Sequence, residues 1–143
     1  MPDDYPGQNF RGRDFSGQNL SGAKLSRAKL TLAVLTGANL SRADLSGADL
    51  SLADLSLAKL PSANLTGADL SYANLTEADL TRANLTRANL TRADLIRANL
   101  VLADLSGADF ANADLTELYR RPGTSKAEMK GAKGLDTAKG LVP

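Results

Sequence analysis

The sequence predicts an all-β fold, a solenoid wound from short walls and corners, and three observations carry that expectation. A large apolar residue recurs every five positions without a break from Phe10 to Leu115, giving 22 centres, Phe at 10, 15 and 110 and Leu at the other 19. Alanine stands two residues before the centre in 19 of the 22 units, from Ala23 to Ala113. Aromatic residues make up only 4% of the chain and cysteine is absent, so the core must be aliphatic, with neither disulfides nor thiolate-bound zinc to hold it. Self-similarity at a fixed period marks a repeat architecture and outranks local propensity.

The period excludes the two ordinary elements. On an α-helix, leucines five apart advance by about 140° each time and scatter around the cylinder, so no apolar stripe forms. On a long strand, Ala and Leu two apart share a face, but the next Ala comes three residues later and breaks the alternation. An inward Ala–Leu pair followed by a corner, repeated, satisfies the pattern, with successive coils stacked about 4.8 Å apart. Between the inward pair stands mostly Asp or Asn, after the centre mostly Ser or Thr, and the fifth position varies freely.

The stretch ANLTGADLSYANLTEADL, residues 63–80, resembles the pentapeptide repeat family, whose consensus is A(D/N)LXX. The resemblance covers about three quarters of the chain. It implies a right-handed quadrilateral β-helix with one pentapeptide per side and 20 residues per coil. The 22 units then make about five and a half coils, a rod of roughly 26 Å at strand spacing. Residues 20 apart should stack, so Leu20, Leu40, Leu60, Leu80 and Leu100 form one inward ladder. Outside, Lys24 falls over Asp44, Lys29 over Asp49 and Lys59 over Asp79, surface pairs worth about 0–1 kcal/mol each and useful mainly as register marks.

The first coil should form a polar, plugged end that protects open strand edges, because Gln8, Arg13 and Gln18 replace the inward alanines and bulky Phe10 and Phe15 take the centres. The repeats occupy residues 1–117, with Pro61 at a corner where a missing N–H is easily tolerated. Residues 118–143 read as a C-terminal cap. After Pro122-Gly123, Ser125 and Glu128 form a capping box that predicts a short helix over 124–134, covering the last coil with Ala127 or Met129. An irregular tail is expected past Gly134.

Composition argues against catalysis. The chain has no His and no Cys, which removes the usual bases, nucleophiles and transition-metal ligands. Stacked acids such as Asp49 over Asp69 and Asp94 over Asp114 would sit on a flat wall. Calcium needs a purpose-shaped loop, and acid–base work needs a cleft that raises one pKa. We therefore expect no catalytic residues, cofactor or metal.

Net charge is +1, divided as −2 over residues 1–9, −1 over 10–117 and +4 over 118–143. The balanced body points to neither nucleic acid nor membrane. Arg82, Arg87, Arg92 and Arg97 occupy the same place in four successive units, so they ring the rod one per side and form no basic patch. The N-terminus lacks the basic and apolar regions of a signal peptide, and the reading is a soluble cytoplasmic chain. Function should lie on the outward variable positions.

Leu32, Leu52 and Tyr72, 20 apart, should stack on one corner, with Val34 beside Leu32 and Leu57 following Leu52 around the turn. That apolar cluster is the candidate site for another protein. Ile96, Val101 and Leu102 form a smaller second cluster. The expected function is a non-catalytic rigid scaffold or protein-binding module. The alternative that the resemblance implies is a DNA mimic that inhibits or protects a type II topoisomerase, although the balanced body departs from the acidic surface such mimicry needs. The same resemblance implies a monomer or a homodimer through the C-terminal coil.

Overall fold

A computed structural model describes residues 4–118, 129 and 131–140. From Asp4–Lys24 to Asp94–Asp114, every β-bridge is parallel and joins residues 20 apart. One turn per five residues and one coil per 20 makes four walls. Each wall is too short to form a regular strand and is held to its neighbours by single bridges.

One unit, Ala48 to Leu52, shows why five residues suffice. The Ala48 N–H donates across the preceding turn to the Leu45 carbonyl at 3.0 Å. The Asp49 N–H donates to Ala28 O in the earlier coil at 3.0 Å, and the Leu50 N–H to Asp69 O in the later coil at 2.7 Å. The Leu52 N–H reaches Ser71 O, also in the later coil, at 3.0 Å. The remaining Ser51 N–H donates to Asp49 Oδ1 at 3.0 Å. All five donors are satisfied, as buried backbone requires, and the frequent Asp or Asn is explained as an Asx-turn acceptor. Where Lys59 replaces it, the residue needing that acceptor is Pro61, which has no N–H, whereas Ser26, Thr31 and Thr36 follow Lys24, Lys29 and Val34, which offer no Asx acceptor.

The fifth position varies in chemistry but not in conformation. Every fifth residue from Gly7 to Glu117 has positive φ, including Leu52 at 59°, Tyr72 at 58° and Arg82 at 57°. A positive φ at the third residue of a tight turn is the type II signature. No Val, Ile or Thr occupies this position, whereas the position before it holds eight Thr, Ile96 and Val101. Within the turn, β-branched side chains thus occupy the residue whose φ they tolerate and not the one that follows.

The inward Ala and Leu side chains from Ala23 to Leu100 are all buried to 2% exposure or less, so the core is one continuous column. The predicted ladder of Leu20, Leu40, Leu60, Leu80 and Leu100 lies within it. At the N-terminal end the register starts one unit earlier than expected, at Tyr5. Tyr5, Phe10 and Phe15 stack edge to face with 5.4 Å between successive ring centroids. Gln8, Arg13 and Gln18 are exposed there.

The expected lysine pairs are correct in register and wrong as ion pairs. Lys24, Lys29 and Lys59 bridge to Asp44, Asp49 and Asp79, but Lys24 Nζ instead meets Asp4 at 3.4 Å. None of the three predicted pairs is an ion pair among the described residues. Each of these Asp Oδ1 atoms is engaged by the N–H two residues on, from Ser46, Ser51 and Thr81, which turns the carboxylate along its own wall.

The tail also departs from expectation. Residues 131–134 are not the end of a helix, because Lys133 bridges to Asp109, and 135–140 are not irregular, because Lys139 bridges to Asp114. The Phe110 N–H donates to Lys133 O and the Leu115 N–H to Lys139 O, each at 2.9 Å. Spacings of 24 and 25 residues replace 20, so the segment pairs with the last coil outside the 20-residue register. Met129 is 2% exposed. The capping box and most of the predicted helix, with Ala127, lie outside the described residues.

Candidate functional site

Positive φ at the corners points the fifth side chain outward, and this creates the surface from which any recognition must be built. One corner carries Gly12, Leu32, Leu52, Tyr72, Arg92 and Asn112 in coil order. Leu32, Leu52 and Tyr72 are 45%, 52% and 53% exposed, so the predicted apolar ladder stands clear of the core. Arg92 extends it, with its guanidinium carbon 5.6 Å from the Tyr72 ring centroid. The 20-residue rule applied once more to Tyr72 would have found that arginine.

Val34 and Leu57 belong to the same side of the rod but not to the same ladder. Val34 is half-buried on the adjoining wall, bridged between Asp14 and Asp54. Leu57, 55% exposed, occupies the corner at the far edge of that wall. Asp54 stands between Leu52 and Leu57, its Oδ1 accepting the Ser56 N–H at 3.0 Å and the Ser56 hydroxyl at 2.7 Å. The exposed corners and half-buried wall form a shallow trough, one rim carrying Leu32, Leu52 and Tyr72 and the other Leu57. Five apolar residues share it, and an aspartate divides them.

The second cluster is looser. Leu102 is 60% exposed, while Ile96 and Val101 are half-buried, their N–H groups donating to Asp94 Oδ1 and Asn99 Oδ1. They flank the wall of Asn99, so a polar residue separates them as well. Leu102 continues a corner otherwise occupied by Gly22, Arg42, Ser62 and Arg82.

The arginine belt is spread one residue per corner. Arg97 is held between two acids of its own ladder, its Nε 2.6 Å from Glu117 and its Nη1 3.6 Å from Glu77. Hydrogen bonding and charge from Glu117, then the charge of Glu77, raise its pKa. The carboxylates shift the other way. Hydrogen bonds from Ser16 lower Asp14, and those from Ser106 lower Asp104. Burial pushes Asp49 and Asp54 up, but hydrogen bonds from Ser51 and Thr31, and from Ser56 and Thr36, outweigh it. These groups stay ionised and engaged, which suits turn building and not proton transfer.

A groove of about 470 Å³ lies on another corner, lined by Pro6, Gly7, Ser26, Arg27, Asp44 and Ser46. Among the described residues, no group of three or more His, Cys, Asp or Glu could hold a metal ion. Among them, too, no helix is long and apolar enough to cross a membrane.

A family model described as pentapeptide repeats matches residues 7–37, 38–76, 48–87 and 83–117, with eight copies. No curated protein matches. Among solved structures, the chain is similar to the pentapeptide repeat protein Rfr23 from the cyanobacterium Cyanothece 51142, at 31% identity and a TM-score of 0.75, covering 77% of this chain and 89% of that one. It is similar to a pentapeptide repeat protein of the Arabidopsis thaliana thylakoid lumen, at 35% identity and TM-score 0.63, covering 90% and 88%. It is also similar to HetL of Nostoc sp. strain PCC 7120, a pentapeptide repeat protein involved in heterocyst differentiation regulation, at 29% identity and TM-score 0.52, covering 98% and 78%.

Proposed function

Because the chain belongs to the pentapeptide repeat family, we propose that it is a non-catalytic, rigid scaffold whose exposed apolar ladder holds another protein. The carrying observation is the Leu32–Leu52–Tyr72 ladder, three large apolar side chains about half exposed and in register on one corner. A rod with a continuous aliphatic core and satisfied turns changes shape little on binding, so little ordering cost opposes association.

Capture from a lysate of the source cell, compared between wild type and the Leu52→Glu, Tyr72→Glu variant, tests this reading. Both positions are exposed corners, so the β-rich circular dichroism should be unchanged. A protein held by wild type and lost by the variant is the expected result. Equal capture by both would remove the ladder from the interaction.

The competing DNA-mimic reading needs an acidic rod, and the repeat body carries only −1 over residues 10–117. Supercoiling by gyrase should proceed unchanged at micromolar protein. Inhibition there would reverse the order of the two readings.

A further inference from the structure

The balanced total conceals charge segregation around the rod. Along the ladder and the coils after it, from residue 32 to 117, the wall of Val34 and its two bordering corners carry Asp54, Glu77, Asp94, Asp114 and Glu117 against Arg92 and Arg97, while Arg11, Arg13 and Asp14 lie in the first coil before the ladder and Lys139 is bridged beside Asp114. The opposite wall and its corners carry, from residue 4 to 107, Asp4, Asp44 and Asp104 against Lys24, Arg27, Arg42, Arg82 and Arg87. The apolar ladder therefore stands on the acidic side. Of the cations at and after the ladder, Arg92 is already engaged over Tyr72 and Arg97 between Glu77 and Glu117.

The spacing of the ladder carries shape information as well. Leu32, Leu52 and Tyr72 span two coil spacings, about 9.6 Å. Side chains at i, i+4 and i+7 of an α-helix span about 10.5 Å along its axis and share one face. A helix laid along the rod thus keeps step with the ladder for its whole length, resting in the trough between the two corners. The opposite face of a second copy would match the charge but not the ladder, since its corners offer mainly glycine and arginine, with Leu102 as the exposed apolar group.

We infer that this face receives an amphipathic helix of another protein, its apolar stripe on Leu32, Leu52 and Tyr72 and its lysines or arginines over Asp54, Glu77 and Asp94. The inference rests on the protein-binding reading above and adds the chemistry of the partner. Charge complementarity of this kind sets orientation and encounter rate, and the apolar stripe supplies the residence time.

The test uses the isotope-labelled full chain and three amphipathic peptides of about 16 residues, with one leucine pattern and Lys, Gln or Glu at the flanking positions. The lysine peptide should bind about threefold to tenfold more tightly than the glutamine peptide, and the glutamate peptide weakest. Amide shifts should concentrate at Leu32, Leu52, Leu57 and Tyr72. The Asp54→Asn, Glu77→Gln variant, which keeps the Asx acceptor, should erase the preference for lysine, as should high salt.

Equal binding of the lysine and glutamine peptides at the ladder would overturn the charge assignment while leaving a protein-binding face. Shifts confined to other corners, or none, would overturn the helix. If the variant in the lysate experiment still lost its partner, the broader reading would survive that failure. Concentration-dependent shifts at the ladder without any peptide would identify a second copy as its occupant and overturn the inference.

Discussion

At the scale of single residues, two rules written into each unit make separate predictions. The left-handed fifth position strains any residue with a Cβ, and a branched one most. Ser62, exposed with φ of 58°, isolates the effect. Ser62→Val should lower stability by about 1–2 kcal/mol, whereas Ser62→Gly should leave it level or slightly higher, both read from urea midpoints. An unchanged midpoint for the valine variant would mean that the corner relaxes freely. The second rule is the acceptor two residues before the first turn residue. Pro61→Ser creates an N–H beside Lys59, which offers no acceptor, and should cost about 1 kcal/mol. Adding Lys59→Asn should recover it, and the coupling in the double-mutant cycle is the quantity to read, because the loss of proline stiffness is common to both serine variants. The absence of branched residues from the fifth position was visible in the sequence. Its meaning was not, because a backbone angle leaves no trace in a list of variable letters until the turn is seen.

At the scale of the coil, the five-residue period and the 20-residue stacking were legible because apolar spacing dictates which side chains share the interior. The lysine–aspartate partners were legible as register and misleading as contacts, since stacking distance does not reveal that Asp49, expected to meet Lys29, already faces its own Ser51, as Asp54 beside Val34 faces Ser56. That engagement gives the wall a pH dependence. Both carboxyl groups lie below their ordinary value of 3.8, burial opposing and hydrogen bonds prevailing. A depressed pKa in the folded state means the stabilisation is complete above the unfolded value and is lost as pH falls through the folded one. Thermal midpoints should therefore hold level from neutrality to about pH 5 and fall below about pH 4. A midpoint unchanged down to about pH 3 would show that the Asx turns are no weaker with protonated carboxyls. The candidate site was legible to the same extent as the coil. Leu32, Leu52 and Tyr72 followed from counting by 20, but the division of the trough by Asp54 and the engagement of Arg92 required side-chain positions.

At the scale of the whole rod, a stack of parallel coils has two ends, and each must stop pairing with further strands. The N-terminal end uses exposed Gln8, Arg13 and Gln18 around an edge-to-face aromatic plug. The other end uses the returning segment 131–140, and its fit depends on two glycines. A Cβ at Gly134 would press into the backbone of Ala111, and one at Gly140 into the backbone of Thr116. Both glycines also have positive φ, 69° and 79°, so alanine there is unfavourable twice over. The Gly134→Ala, Gly140→Ala variant should release the segment from the walls of Phe110 and Leu115, freeing the N–H donors that now reach Lys133 and Lys139. The repeat body, with its own core column and coil-to-coil bonds, should keep its circular dichroism. Light scattering should then report concentration-dependent association of the variant where wild type stays monomeric, because an uncovered β-helix end is an edge that a second copy can extend. A variant that remains monomeric at high concentration would show that the last coil is protected without this segment. A wild type that is already dimeric would show that the segment does not close the rod.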